Sequence, residues 1–324
     1  MPRVFLGLEA EHRYAVLEMG AEWVGELTWL CSIVRPNWSI VTNVGSAHLK
    51  TFGSPERVAI AKSELVEALP PDGIAILNYD DPRVRAMSQK TQARVMYYGL
   101  DEKAEVRASD LQGDALHGFS FMLHYHDVHL PVQLRIPGQH GVSAALAAAA
   151  AGFLAGIAPE AISSALAALV PVKGRGEIKL GPNGSTLIDD SYKANRQSIL
   201  AGIAVLHRTD LIGGGKRWAV LGDMLDLANF ARDEHYATGR ALVGQVDYLV
   251  AIGDQARFYV EGARDAGMSA DKLFFFKADP ADHDQLEAAK QDVIDFLLSN
   301  VQNNDLLLLK GSNPLGLQTM LEQF

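Results

Sequence analysis

Four short apolar runs in the second half of the chain each end on a polar or glycine-bearing corner. Thr186–Ile188 runs into Asp189-Asp190, Trp218–Leu221 into Gly222-Asp223, Tyr248–Ile252 into Gly253-Asp254, and Leu306–Leu309 into Lys310-Gly311. Continuous apolar runs of this length, without alternation, mark strands buried on both faces. Burial on both faces requires a covering layer on each side, and the stretches between the runs are long enough to supply helices. The pattern therefore predicts a parallel, Rossmann-like α/β sheet. Such sheets take their ligands beyond the carboxyl ends of the strands, which is where these four corners fall.

The first half alternates in the same way. Arg13–Leu17, Ser39–Thr42, Gly73–Leu77 and Arg94–Tyr98 read as strands, with helices at Pro55–Leu69 and Pro82–Gln92. Phe119–Tyr125 and Val128–Ile136, separated by His126-Asp127, read as a hairpin. Pro137-Gly138 then breaks the chain before an alanine-rich helix (Val142–Ala158) and a second helix (Pro159–Leu169). Pro171–Gly176 has the composition of a linker. The expectation is two α/β domains, 1–171 and 172–324, the first a parallel sheet with an added hairpin region.

Composition excludes several classes. A net charge of −10 and a pI near 5.5 provide no basic surface for nucleic acid. Cys31 is the single cysteine, which rules out an internal disulfide and a thiolate metal cluster and fits a reducing cytoplasm. The alanine-rich run is shorter than the ~20 apolar residues of a membrane span, and residues 1–10 do not form a signal peptide.

Glu18 ends an apolar run, and His48 follows the next one across Gly45. A strand-end carboxylate suits Mg²⁺, which takes few protein oxygens and keeps water and phosphate for the rest. Each residue alone also reads as an ordinary solvent-facing side chain. Parallel strands lie ~4.8 Å apart, so pairing of the two runs would bring both groups to one crevice. Ser54-Pro55 is a helix start. On the helix that follows, Lys62 falls within the stripe of Val58, Leu65 and Leu69, while Glu56, Arg57, Ser63, Glu64 and Glu67 fall on the other face. Lys62 either snorkels outward or is held near the crevice, where a neutral amine could be carbamylated into an oxygen ligand. Gly213-Gly214-Gly215-Lys216 does not fit a phosphate loop, because Asp210 and Arg217 stand at required positions and a strand follows; it reads as a turn. His124, His126 and His129 show no fourth ligand or acidic second shell nearby in the sequence, and read as a solvated hairpin face.

Ten pieces in order resemble the Mur ligases of peptidoglycan synthesis, and among them the branch that adds D-alanyl-D-alanine to UDP-N-acetylmuramoyl-tripeptide. They are Val16–Gly20, Val41–Leu49, Phe52–Ser54, Ala61–Glu64, Leu77–Pro82, Gly138–His140, Gly174-Arg175, Asp189–Tyr192, Leu221–Leu227 and Leu309–Ser312. The resemblance implies an ATP-dependent amide-bond ligase of the cytoplasm, acting in cell-wall synthesis through an acyl phosphate. By position it implies Glu18 and His48 as Mg²⁺ ligands and Lys62 as a carbamylated catalytic lysine. It places Asn43, His140, Arg175, Asp190 and Asn195 at the ATP, and Lys310 and Ser312 at the incoming dipeptide. Mg²⁺ and ATP are the implied cofactor and cosubstrate.

The sequence departs from the family pattern at several points. The family's N-terminal domain and Gly-Thr-x-Gly-Lys-Thr loop have no counterpart in it. His-Asn-x-x-Asn reads His140-Gly141-Val142-Ser143-Ala144, Tyr-Asn-Ala-Asn-Pro reads Tyr192-Lys193-Ala194-Asn195-Arg196, and Lys-Gly-Ser-Arg reads Lys310-Gly311-Ser312-Asn313. The expectation is the central and C-terminal domains of such a ligase, truncated at the N-terminus, with the rest supplied by upstream sequence or a partner chain. By itself the chain is expected to bind ATP weakly. Two alternatives stand beside it: a degenerate homologue that binds a muropeptide or dipeptide without turnover, and a ligase of the folate polyglutamate type.

Overall fold

The computed structural model describes residues 7–45 and 49–324. It divides into two compact units, Met1–Tyr97 and Tyr98–Phe324.

In the first unit, helix α1 (Glu26–Val34) precedes strand β1 (Trp38–Val41). After a single helical turn at Leu49–Phe52 come α2 (Pro55–Glu67), β2 (Ile74–Asn78), α3 (Pro82–Ala86) and the start of β3 (Arg94–Gly99). β1 and β2 pair in parallel, from Trp38 opposite Ile74 to Val41 opposite Leu77. Ser54 caps α2 by accepting the Arg57 N–H at 3.3 Å, with Pro55 fixing the first turn. Val58, Ala61 and Val66 of α2 pack on Ala75 and Leu77 of β2.

Three expectations are corrected here. Arg13–Leu17 does not form a strand. A strand needs a neighbour for its backbone and a layer over its apolar side chains. Among the described residues β1 ends the sheet, and Val16 is left 92% exposed. Glu64 is not on the solvent face of α2 but buried. Its carboxylate accepts the N–H of Gly25 at 2.6 Å and of Thr28 at 3.0 Å, and so closes the amino end of α1. The helix read over Pro82–Gln92 stops at Ala86 and tightens into a 3₁₀ turn, Met87–Lys90.

In the second unit, the last residues of β3 pair with β4 (Val106–Asp114), Tyr98 lying opposite Val106. β4, β5 (Gly118–Tyr125) and β6 (Val128–Leu134) form an antiparallel meander. Helices α4 (Gln139–Leu154) and α5 (Pro159–Ala167) follow.

A second sheet then forms with the order β11-β10-β9-β12-β8-β7. Its elements are β7 (Glu177–Leu180), β8 (Thr186–Asp190), α6 (Arg196–Arg208), β9 (Arg217–Gly222), α7 (Ala231–Leu242) and β10 (Tyr248–Gly253). α8 (Arg257–Asp265), β11 (Leu273–Lys277), α9 (His283–Asn300) and β12 (Leu306–Lys310) complete it. All pairings are parallel except that of β7 with β8.

Alternate residues of each strand serve opposite faces. Leu308, Ile188 and Leu221 meet α6, α7 and α8, whereas Leu309, Leu187 and Val220 meet α9. Burial on both faces is thus what removes alternation from these runs. The glycines before β9 make a turn, with φ of +60° at Gly213 and +77° at Gly214. A Cβ on Gly215 would collide with the Asn304 carbonyl. No helix among the described residues is long and apolar enough to cross a membrane.

Candidate functional site

Register places the polar corners of the second sheet in one row. Lys310 at the end of β12 lies opposite Asp190 of β8 on one side and Leu221 of β9 on the other. Its side chain is only 1% exposed, and its Nζ donates to Asp190 Oδ2 at 2.6 Å and to the Lys193 carbonyl at 2.9 Å. Burial pulls the Lys310 pKa down against the attraction of Asp190, and the nearby positive charge of Arg175 lowers it further. Burial pushes Asp190 up, with Lys310 and His140 opposing.

Arg175 is held by stacking. Its guanidinium carbon lies 4.4 Å from the centre of the Tyr192 ring. Tyr192 is fixed in turn: its N–H donates to the Gly174 carbonyl at 3.0 Å, and its carbonyl accepts the Asn313 N–H at 3.0 Å. His140, in the first turn of α4, is drawn below its ordinary pKa by its surroundings, while Asp190 and Lys310 act on it with opposite signs. His140, Arg175, Asp190 and Lys310 therefore come from four segments and share one electrostatic neighbourhood. With His140 neutral, the set carries one net positive charge and suits an anion. A cavity of about 210 Å³ opens beside His140, lined by Ala115, Phe119, Ala201, Val205 and Arg208 among others. It is smaller than pockets that bury a whole drug-sized ligand, and has room for one ring system.

The remaining residues foreseen for this half have structural duties. Asn195 caps α6: its side chain accepts the Ser198 N–H at 2.8 Å, and Ser198 Oγ accepts the Asn195 N–H at 3.1 Å. Ser312 Oγ donates to the Asp223 carbonyl at 3.0 Å and accepts the Leu225 N–H at 3.2 Å, tying β12 to the loop after β9. That loop contains two non-glycine residues with positive φ, Asp226 (+62°) and Ala228 (+45°).

Beneath it lies a buried polar group. The Asp223 carboxylate accepts the N–H of Asp254 at 3.0 Å and of Ala256 at 2.6 Å, yet desolvation raises its pKa to about 6. His235 accepts the Met224 N–H at Nε2 (2.9 Å) and donates from Nδ1 to the Ala231 carbonyl (2.6 Å). Both ring nitrogens are thus satisfied by the neutral tautomer, and desolvation depresses the pKa to about 4. Asp223 belonged to a corner visible in the sequence, but nothing near His235 marked it as that corner's packing partner.

In the first unit, Lys62 Nζ donates to the Asn43 carbonyl at 2.5 Å, so the lysine turns toward the carboxyl end of β1. Asp81 steadies the same loop by accepting the Val44 N–H at 2.7 Å, and the Asn78 side chain donates to the Thr42 carbonyl at 2.8 Å. Asn43 thus contributes its backbone to this arrangement. Glu18 is exposed to solvent, and His48 lies outside the described residues.

A doubly covered, mostly parallel sheet with a buried cation and an arginine at its carboxyl edge defines an α/β protein of the open-sheet class. Comparison with known proteins carries this further. The Mur ligase middle domain matches residues 1–152, and the Mur ligase glutamate ligase domain matches residues 174–313. The UDP-N-acetylmuramoyl-tripeptide--D-alanyl-D-alanine ligase of Mycobacterium tuberculosis is 36% identical over 319 residues, covering 94% of this chain and 61% of the relative. The ligase of the same description from Escherichia coli is 35% identical over 260 residues, covering 79% of this chain and 56% of the relative. The crystal structure of MurF from Acinetobacter baumannii superposes with a TM-score of 0.85 at 28% identity, covering 99% of this chain and 67% of that one. The chain belongs to the Mur ligase family. It spans about three fifths of the length of the curated relatives that match over nearly all of it.

Proposed function

We propose that this chain provides the central and C-terminal parts of a cytoplasmic, ATP-dependent ligase that joins D-alanyl-D-alanine to UDP-N-acetylmuramoyl-tripeptide in peptidoglycan synthesis. The observation that carries the reading is the buried Lys310–Asp190 pair with Arg175 and His140 about it. In this reading the tripeptide carboxylate attacks the γ-phosphorus of ATP, giving an acyl phosphate and ADP. The dipeptide amine then attacks the acyl carbon and expels phosphate. Arg175, at the nucleotide, would offset charge on the transferring group. His140 and its adjoining cavity would receive the base of the nucleotide, with Asp190 and Asn195 close by.

The solvent-open carboxylate of Glu18 and the placement of Lys62 at the loop leading to His48 fit a hard cation that keeps much of its water. Glu18 and His48 would hold Mg²⁺, with a carbamylated Lys62 beside them; when bound, the ion would neutralise phosphate charge. Lys310 and Ser312 would meet the dipeptide. We place the domain boundary near residue 172, with Pro171–Gly176 as the hinge; limited proteolysis should cut there first.

One observation favours a second reading, a homologue that binds dipeptide or muropeptide without turnover. A Cβ on Gly141 would approach Ile136 Cγ2 to 2.8 Å, so the asparagine that the family pattern has at this position would require Ile136 to shift. The deciding assay is ADP release by the chain joined to the N-terminal third of the Mycobacterium tuberculosis relative. Release that requires both D-alanyl-D-alanine and the UDP-tripeptide, and falls at least tenfold in Lys310→Met, supports the ligase. Saturable dipeptide binding without ADP release supports the second reading. Release driven by glutamate instead would point to the folate polyglutamate type.

A further inference from the structure

The second sheet has two crevices at its carboxyl edge, and the ligase reading names charged groups in only one of them. β12 stands between β8 and β9. The chain leaving β8 and β9 passes to the face covered by α6 and α7, where Met224 and Leu227 are buried with Ile199 and Leu242. The chain leaving β12 passes to the opposite face, where Leu315 and Leu317 join α9. Neighbouring strands whose outgoing segments part to opposite faces leave a crevice between them, and open sheets hold their ligands there. The β8–β12 crevice carries the Asp190–Lys310 pair. The β9–β12 crevice is bounded by the loop after β9 on one side and by Gly311-Ser312 on the other.

That loop is fixed on both sides of Asp226. The Met224 N–H donates to His235 Nε2 at 2.9 Å, the Leu225 N–H donates to Ser312 Oγ at 3.2 Å, and the Leu227 side chain is buried. Asp226 is left as an exposed apex, at φ +62°. A turn aspartate ordinarily spends its carboxylate on a nearby backbone N–H. Asp81, Asp101 and Asp282 each bond an N–H two or three residues on in this way. Asp226 makes no hydrogen bond or ion pair among the described residues. Nothing in the turn uses its charge. Ser312, by contrast, has given its one proton to the Asp223 carbonyl. The uncommitted group at this crevice is therefore an anion.

We propose that the β9–β12 crevice takes the incoming dipeptide and that Asp226 receives its ammonium group. The proposal rests on the ligase reading and supplies the amine substrate with a carboxylate which that reading left unassigned. A carboxylate and a primary ammonium form charge-assisted hydrogen bonds. A free dipeptide carries its ammonium at one end only, so Asp226 sets which end enters and rejects a peptide whose amine is blocked. A metal ion would need further donors, and among the described residues no group of three or more His, Cys, Asp or Glu is placed to hold one. Asp226 is in this sense a specificity-determining residue for the amine.

The test is calorimetric titration of the full chain with D-alanyl-D-alanine and with N-acetyl-D-alanyl-D-alanine, with a urea midpoint measured for each variant. Asp226→Asn keeps the size and the left-handed preference of the residue and removes its charge. Asp226→Gly removes the side chain and relieves the backbone. The expected result is dipeptide binding by the wild type that weakens at least about tenfold in both variants, with midpoints no lower than that of the wild type. The N-acetyl dipeptide should bind the wild type and Asp226→Asn equally. Equal binding of the unblocked dipeptide to the wild type and Asp226→Asn would overturn the proposal and leave the ligase reading standing. A loss in Asp226→Asn that is as large for the N-acetyl dipeptide would overturn it too, since it would report a displaced loop. A wild type that binds no dipeptide would remove the subsite on which both the proposal and the reading beneath it depend.

Discussion

Replacing Asp223 by Asn should change the pH dependence of stability in a direction that can be worked out in advance. In the folded chain Asp223 titrates near 6, against an ordinary 3.8. Between those values the native state holds a proton that the unfolded chain has released, so stability falls as the pH rises through the window. A shift of about two units corresponds to roughly 3 kcal/mol. His235 works the other way. Its folded pKa near 4 lies below the ordinary 6.5, so the unfolded chain binds the extra proton and stability rises over nearly the same window, again by roughly 3 kcal/mol. In the wild type the two slopes nearly cancel.

Asp223→Asn removes one slope and exposes the other. The absolute stability will also drop, because an amide cannot accept both the Asp254 and the Ala256 N–H as a carboxylate does. The readout is therefore the slope. Urea unfolding at constant ionic strength, in steps from pH 4 to pH 7, should show the wild-type-minus-variant difference shrinking by about 3 kcal/mol, most steeply near 1.4 kcal/mol per pH unit. Parallel curves for the two proteins would refute the reasoning, since every other titrating group cancels in the difference.

Asp190→Asn should leave the buried Lys310 ammonium without its counter-charge and cost about 3 kcal/mol, a fall of roughly 6–12 °C in Tm for a unit of this size. Adding Lys310→Met to it should recover most of that loss, as a double-mutant cycle in thermal unfolding will show. Glu64→Ala should release the amino end of α1, at a cost of about 1–2 kcal/mol, seen as faster hydrogen exchange at the Gly25 and Thr28 amides. Gly215→Ala should destabilise the second sheet by about 1–3 kcal/mol, because the methyl meets the Asn304 carbonyl; a denaturation midpoint within error of the wild type would count against the packing described.

The second sheet was legible because its strands are buried on both faces and their composition says so. The runs read at 186–188, 218–221, 248–252 and 306–309 lie within β8, β9, β10 and β12. The hairpin was legible from its central His126-Asp127. β4 was not, since Arg107, Asp110, Gln112 and Gly113 interrupt its alternation and a register shift follows Ser109. β7 is short and pairs only at the sheet edge, where little burial is demanded. Arg13–Leu17 misled because β-propensity describes a surface that fits a neighbour, and none of the described strands flanks β1 on that side. Among site residues, Lys310 and Asp190 were visible as strand-end polar groups, whereas Glu64 looked like a solvent-facing acid on the helical wheel. A wheel records which side of a helix a residue takes, not which other helix begins there.

The position of β12 has a consequence for how the molecule is made. Among the described strands it is the last to be synthesised, yet it stands between β8 and β9, the first two parallel strands of its sheet. Until residues 306–310 leave the ribosome, β8 and β9 have no shared neighbour, and the leucines that will face α6 and α9 have no strand to carry them. A nascent chain therefore has to hold two half-sheets with open inner edges, the kind of unpaired strand surface that other chains can bind. Synthesis that stalls within α9 would leave the same open edges, so in this fold the interval before β12 emerges is when a chaperone has most to protect.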